Sequence, residues 1–187
     1  MIYSWKKILK NSMPLLSVCI IVEIFAGQIL QSRQDVLLAL PVFLVSIPVI
    51  NGVSGNIGSV IGARLASGLH VGSIKPSLKE GRIYELIFTS VLIGFVTYLI
   101  LAIIIYLISS FGSIEMGLDL LTFIFIFVGS GVLLIGIITF FSIFTAFSSF
   151  RKGYDPDDWI APVVTTAGDT LGILFLIVFI SFFGVGL

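Results

Sequence analysis

Apolar residues run along this chain in five long blocks separated by short polar breaks. The blocks cover about Met13 to Leu30, Val36 into the seventies, Tyr84 to Ser109, Leu120 to Phe150 and Trp159 to Leu187. A helix needs about 20 mostly apolar residues to cross roughly 30 Å of hydrocarbon, and the blocks meet that length. The pattern predicts an all-α, polytopic membrane protein with five transmembrane helices. The longest polar connection, about Val71 to Ile83, has no room for an extramembrane domain. Residues 1–187 are therefore expected to form one transmembrane unit without a cytoplasmic regulatory domain, and function is expected inside the membrane.

Composition sharpens this picture. Of 187 residues, 58% are hydrophobic and 11% charged, against roughly 25% charged in an average soluble domain. Ten Lys/Arg balance ten Asp/Glu, so no basic field draws nucleic acid to the surface. The single cysteine, Cys19, cannot form an intrachain disulfide, and no Cys/His cluster of metal-binding type occurs. Lys6, Lys7 and Lys10 ahead of an apolar run imitate a secretory signal, but Glu23 interrupts the run and no convincing cleavage site follows. A retained first helix is expected.

The basic residues alternate between connections. Lys6, Lys7 and Lys10 precede the first span and Arg33 alone follows it. Lys75, Lys79 and Arg82 occupy the second connection, with Arg64 near it. The third carries only Glu115 and Asp119, and the fourth Arg151 and Lys152. Cytoplasmic loops hold the Lys/Arg excess, which predicts an N-terminus inside and a C-terminus outside.

Two acids break the apolar rule. Asp169 lies ten residues beyond Trp159, about 15 Å along a helix and so near mid-membrane. Glu23 lies equally far from Met13, and both spans enter from the same side. A charged group at bilayer centre costs about 2.5 to 3.5 kcal/mol on insertion scales, which makes each acid a functional candidate. The alternative for Asp169 is a structural acid bonded to the hydroxyls of Thr165, Thr166 or Thr170, and Glu23 admits the same alternative.

The second block is anomalous too, because Pro41, Pro48, Asn51, Gly52, Ser54, Gly55, Asn56 and Gly58 fall within it. A continuous helix from Val36 to His70 would measure about 52 Å, more than the membrane core. It is expected to bend, break or protrude, and freed carbonyls of a broken helix can coordinate a cation. Close packing competes with that reading: Gly58, Gly62 and Ala66 recur every four residues, and Gly168 and Gly172 bracket Asp169 with the same spacing. Arg64 is expected to snorkel to the interface, and His70 to sit in a solvated loop. Asp155-Pro156-Asp157-Asp158 suits either a helix start or a cation-attracting cytoplasmic mouth. The phenylalanines of the fourth block read as packing and lipid contacts.

The run from Pro48 through Asn51-Gly52-Val53-Ser54-Gly55-Asn56-Ile57-Gly58 to His70 and Gly72 resembles the signature of the MgtE-type magnesium transporters, closest to their archaeal single-domain and animal solute-carrier branches. Tyr154-Asp155-Pro156-Asp157-Asp158, with Pro162, Thr165, Thr166 and Asp169, resembles the segment that opens that family's last helix. The resemblance implies transport of a divalent cation, Mg²⁺ with Mn²⁺ or Co²⁺ as further candidates, across the cell membrane. It implies a pore shared by two copies or with a sister five-helix chain. Asp169 would then be the main metal residue, with Asn56 and Glu23 beside it and Asn51, Gly55, Gly58, Thr165 and Thr166 lining the path. Mg²⁺ keeps much of its water and takes one or two carboxylates, so one acid per chain is compatible chemistry.

Two other classes compete with this non-enzymatic reading. Tyr154-Asp155 and Gly168-Asp169 loosely imitate an intramembrane aspartyl protease, whose two carboxyls must share a proton. A membrane subunit that only packs against a partner is the other.

Overall fold

Inside a bilayer a backbone N–H or C=O has no water to bond, so a spanning segment satisfies its own groups as a helix. The computed structural model describes residues 5–112 and 117–184, and within them the chain follows that rule. Helices α1 (Trp5–Ser32), α2 (Gln34–Ala39), α3 (Pro41–His70), α4 (Gly81–Phe111), α5 (Leu120–Arg151) and α6 (Pro156–Phe182) follow one another in sequence. All but α2 are long and apolar enough to cross a membrane, as expected. Glu115 and the expected end of the fifth span at Leu187 lie outside the described residues, as do the side chains of Lys6 and Lys7.

The expected break in the second span is displaced. Leu40, at φ −133° and ψ 71°, separates short α2 from α3, and Pro41 then opens a helix that continues through Pro48, Asn51, Gly55 and Asn56 to His70. Gly55-Asn56-Ile57-Gly58 is therefore helical rather than a turn. The physical reason is a comparison of costs. A glycine weakens a helix by about 1 kcal/mol, whereas an unsatisfied backbone group in hydrocarbon costs several. Pro41 lacks the N–H that a first helical residue does not need, so the chain starts its helix there. His70 is the last residue of this helix, not part of a loop.

Helices α3, α5 and α6 pack together at the centre. α4 lies against α3 and α5, and α1 runs along α6. Only 11% of the spanning window of α1 is buried against 50% for α5, which makes α1 peripheral. Small residues decide how closely the central helices approach. A Cβ on Gly58 would run into Ile138, and one on Gly62 into Ile160, so the Gly58-Gly62-Ala66 stripe serves helix packing. Tyr98 of α4 fills the hollow over Gly131 of α5, and its ring begins an aromatic stack through Phe127 and Phe123 to Phe43. Phe147 is buried as well, while Phe125, Phe140 and Phe144 are exposed. The fourth-span aromatics thus divide between core and lipid.

The helix ends follow their local chemistry. Asp119 accepts hydrogen bonds from the Thr122 N–H at 3.2 Å and hydroxyl at 2.7 Å, capping α5. Gly153, at φ 75°, takes the left-handed position after α5, and Tyr154 N–H then bonds the Ser149 carbonyl at 3.0 Å. Asp155 accepts from the Asp157 N–H at 3.1 Å and Pro156 is the first residue of α6, as expected of a helix start.

Candidate cation site

Asn56 stands at the middle of α3 and Asp169 at the middle of α6. The two helices pack closely there at Gly168: a Cβ on it would press on Ser54 Oγ at 3.0 Å, with the Asn51 carbonyl and the Gly55 nitrogen in ordinary contact at 3.7 Å. Gly172, one turn on, leaves the space that the Asn51 amide fills. Asn51 is buried, and its Nδ2 donates to the Asp169 carbonyl oxygen at 3.3 Å. The glycines bracketing the acid thus admit a neighbouring backbone.

Asp169 is half-buried beside Asn51 on one flank and Glu23 on the other. Glu23 comes from α1, which runs parallel to α6: Cys19 reaches Pro162, and four residues later Glu23 reaches Thr166. Thr166 donates its hydroxyl to the Glu23 carboxylate at 3.1 Å. The two acids therefore sit within about one helical turn of the same level on neighbouring helices.

The remaining candidates divide by face. Thr165 and Asn56 are exposed, and Gly55 is buried against Thr165. Gly58 turns away to α5, where its carbonyl accepts from Ser142 at 2.9 Å, so packing and not a pathway occupies it. Thr166 is buried toward α1. None of the three threonine hydroxyls bonds Asp169: Thr165 donates to the Ala161 carbonyl, Thr166 to Glu23, and Thr170 has no partner among the described residues. The structural-acid alternative for Asp169 loses its expected bonds, whereas that for Glu23 gains one.

The acidic segment lies at the far end of α6. Asp155 caps the helix and approaches His70 Nε2 at 3.4 Å, while Asp157 and Asp158 are exposed in the first turn. Fourteen residues separate Asp155 from Asp169 in one helix, about 21 Å along the axis. Two carboxyls so placed cannot share a proton, which removes the geometry of an aspartyl protease.

Among the described residues no three His, Cys, Asp or Glu side chains converge on one metal position. A single chain offers two carboxylates, the Asn51 amide nearby, and an exposed flank at Thr165 and Asn56. That set suits a hydrated divalent ion, which needs few protein ligands. The family model described as MgtE, divalent cation transporter, matches residues 47–179, from within α3 to near the end of α6. The chain belongs to the MgtE divalent cation transporter family. It is accordingly a multi-pass membrane transport protein and not an enzyme. No protein of curated function matches it closely in sequence.

Sequence reasoning missed two contacts that hold α3 in place. Tyr98, buried in α4, donates its hydroxyl to the Ile50 carbonyl at 2.8 Å and braces α3 one residue from Asn51. Its hydroxyl is one of several along the third span, with Thr89, Ser90, Thr97 and Tyr106, so nothing local marked it out. The His70–Asp155 contact joins the neighbouring ends of α3 and α6, and no local pattern could have paired residues so distant in sequence.

Proposed function

We propose that this MgtE-family chain carries Mg²⁺ through a pathway completed by a second copy, with Asp169 as the principal ion-binding residue. The observation that carries the reading is the exposed mid-span polar strip of Asn56, Thr165 and Glu23 beside half-buried Asp169. A bilayer charges several kcal/mol for such a surface unless water or protein covers it. A two-fold partner presenting the same strip covers it and encloses an aqueous path between the copies. Asp169 attracts the ion, retained waters complete its octahedron, and Asn56 and Thr165 offer oxygens to those waters. Glu23 adds a second negative charge to the cation's surroundings. The basic end of the bundle faces the cytoplasm, placing Asp155, Asp157 and Asp158 at the inner mouth.

The test is flux in proteoliposomes of purified chain under gradients of Mg²⁺, Mn²⁺, Co²⁺ and Na⁺. Divalent flux above Na⁺ flux, lost in Asp169→Asn with the protein still folded, is the expected result. Undiminished Mg²⁺ flux in Asp169→Asn removes that residue from its role. Light scattering of the solubilised protein is expected to give the mass of two chains, and a single-chain mass with full flux overturns the shared pathway.

A further inference from the structure

α3 and α4 do not close against each other along their whole length. A groove of about 220 Å³ opens between them, walled by Val60 and Ile61 of α3 and Leu86 and Ile93 of α4. Asn56 stands at one end and Arg64 at the other. Beyond Arg64 the surface continues to Arg82 and Glu85 in the first turns of α4. Arg64 is exposed and has no ion pair among the described residues. Arg82 spends one N–H on the Ser73 carbonyl at 2.8 Å, leaving the rest of its fork free.

We infer that this groove is a binding site for an anionic phospholipid, whose phosphate lies between Arg64 and Arg82 and one of whose acyl chains runs between α3 and α4 along Val60, Leu86 and Ile93. The apolar walls do not select it, because any lipid tail fills them equally well in a bilayer. Charge selects it. Two guanidinium groups face the single carboxylate of Glu85, leaving a positive surplus that a singly anionic headgroup neutralises and a zwitterionic one does not. Guanidinium forks also match phosphate oxygens in pairs. Arg64 lies six residues before the end of α3, about 9 Å along the axis, a depth suited to a headgroup while the groove beyond it points into hydrocarbon.

The experiment reads lipid retention, so its outcome is independent of whether the chain conducts Mg²⁺. Purified protein is equilibrated with vesicles of equal phosphatidylglycerol and phosphatidylcholine, extracted gently, and analysed by native mass spectrometry. Wild type is expected to retain phosphatidylglycerol in preference. Arg64→Gln and, separately, Arg82→Gln are each expected to lower that retention about fivefold, the factor for one basic residue at an anionic surface. Arg64→Lys keeps the charge and most of the binding. Val60→Trp blocks the groove and lowers retention with both arginines intact. Lys79→Gln, a basic residue that does not line the groove, leaves it unchanged. Equal retention of the two lipids by wild type, wild-type retention in both glutamine variants, or an equal loss in Lys79→Gln overturns the site.

Discussion

Thr166 of α6 holds the Glu23 carboxylate of α1 with a hydroxyl bond of 3.1 Å, one helical turn from Asp169. This bond orients an acid that otherwise sits on an exposed peripheral helix. Thr166→Val is expected to weaken divalent-ion affinity about tenfold, the lower range for losing a partner that orients a ligand. Glu23→Gln is expected to weaken it at least as much. Half-saturating Mg²⁺ concentrations for flux, measured for both variants, check the pair; unchanged values in both would confine Glu23 to helix packing.

Packing around the acid is intolerant of added volume. A Cβ on Gly172 would collide with the Asn51 amide, whereas one on Gly136 meets nothing within 4 Å. Gly172→Ala is expected to cost about 1 to 3 kcal/mol through overpacking and to displace the Asn51 bond to Asp169. Gly136→Ala is expected to stabilise by up to about 1 kcal/mol, since it only replaces a poor helix former. Unfolding of the two variants in mixed micelles, read side by side, separates a local collision from a general effect of losing glycine.

Tyr98 braces α3 from α4 through the Ile50 carbonyl. Removing its hydroxyl in Tyr98→Phe is expected to cost about 1 kcal/mol, the usual net worth of a hydrogen bond. Tyr98→Ala also empties the hollow over Gly131, and about 3 to 5 kcal/mol is expected for a buried aromatic of that size. The same unfolding measurement distinguishes the bond from the ring.

The Asp119 cap makes a pH-dependent contribution. The Thr122 hydroxyl, and then the Thr122 N–H, hold its carboxyl below the ordinary carboxylate range. A lowered value means that the charged form is favoured by the fold. Its stabilisation is complete above the unfolded value near about 3.9 and fades as pH falls through the lowered one. Asp119→Ala is therefore expected to unfold at lower temperature than wild type at neutral pH, with the gap closing in strong acid.

Legibility differed along the chain. The α6 start was readable because Asp155-Pro156 is a cap followed by a first-turn proline, and both features act within one helical turn. The second span misled because glycine, asparagine and proline carry water-based expectations of a break, while hydrocarbon penalises the break more than the residues. Gly58 and Asn56 are two positions apart, yet one faces α5 and the other stays exposed. Their shared motif gave no means of separating them.

Hydropathy alone determined the five spans, their helical form and the two acids at mid-depth, because a bilayer accepts only segments of a certain length that satisfy their own backbone. Tertiary structure decided which face of each helix is used. Membrane helices are apolar on nearly every side, so periodicity carries little information about what each side meets. The depth shared by Glu23 and Asp169 could be counted along the chain. Their adjacency came from the parallel packing of α1 on α6, where a threonine hydroxyl and a bracket of glycines bring the two helices and α3 within bonding reach.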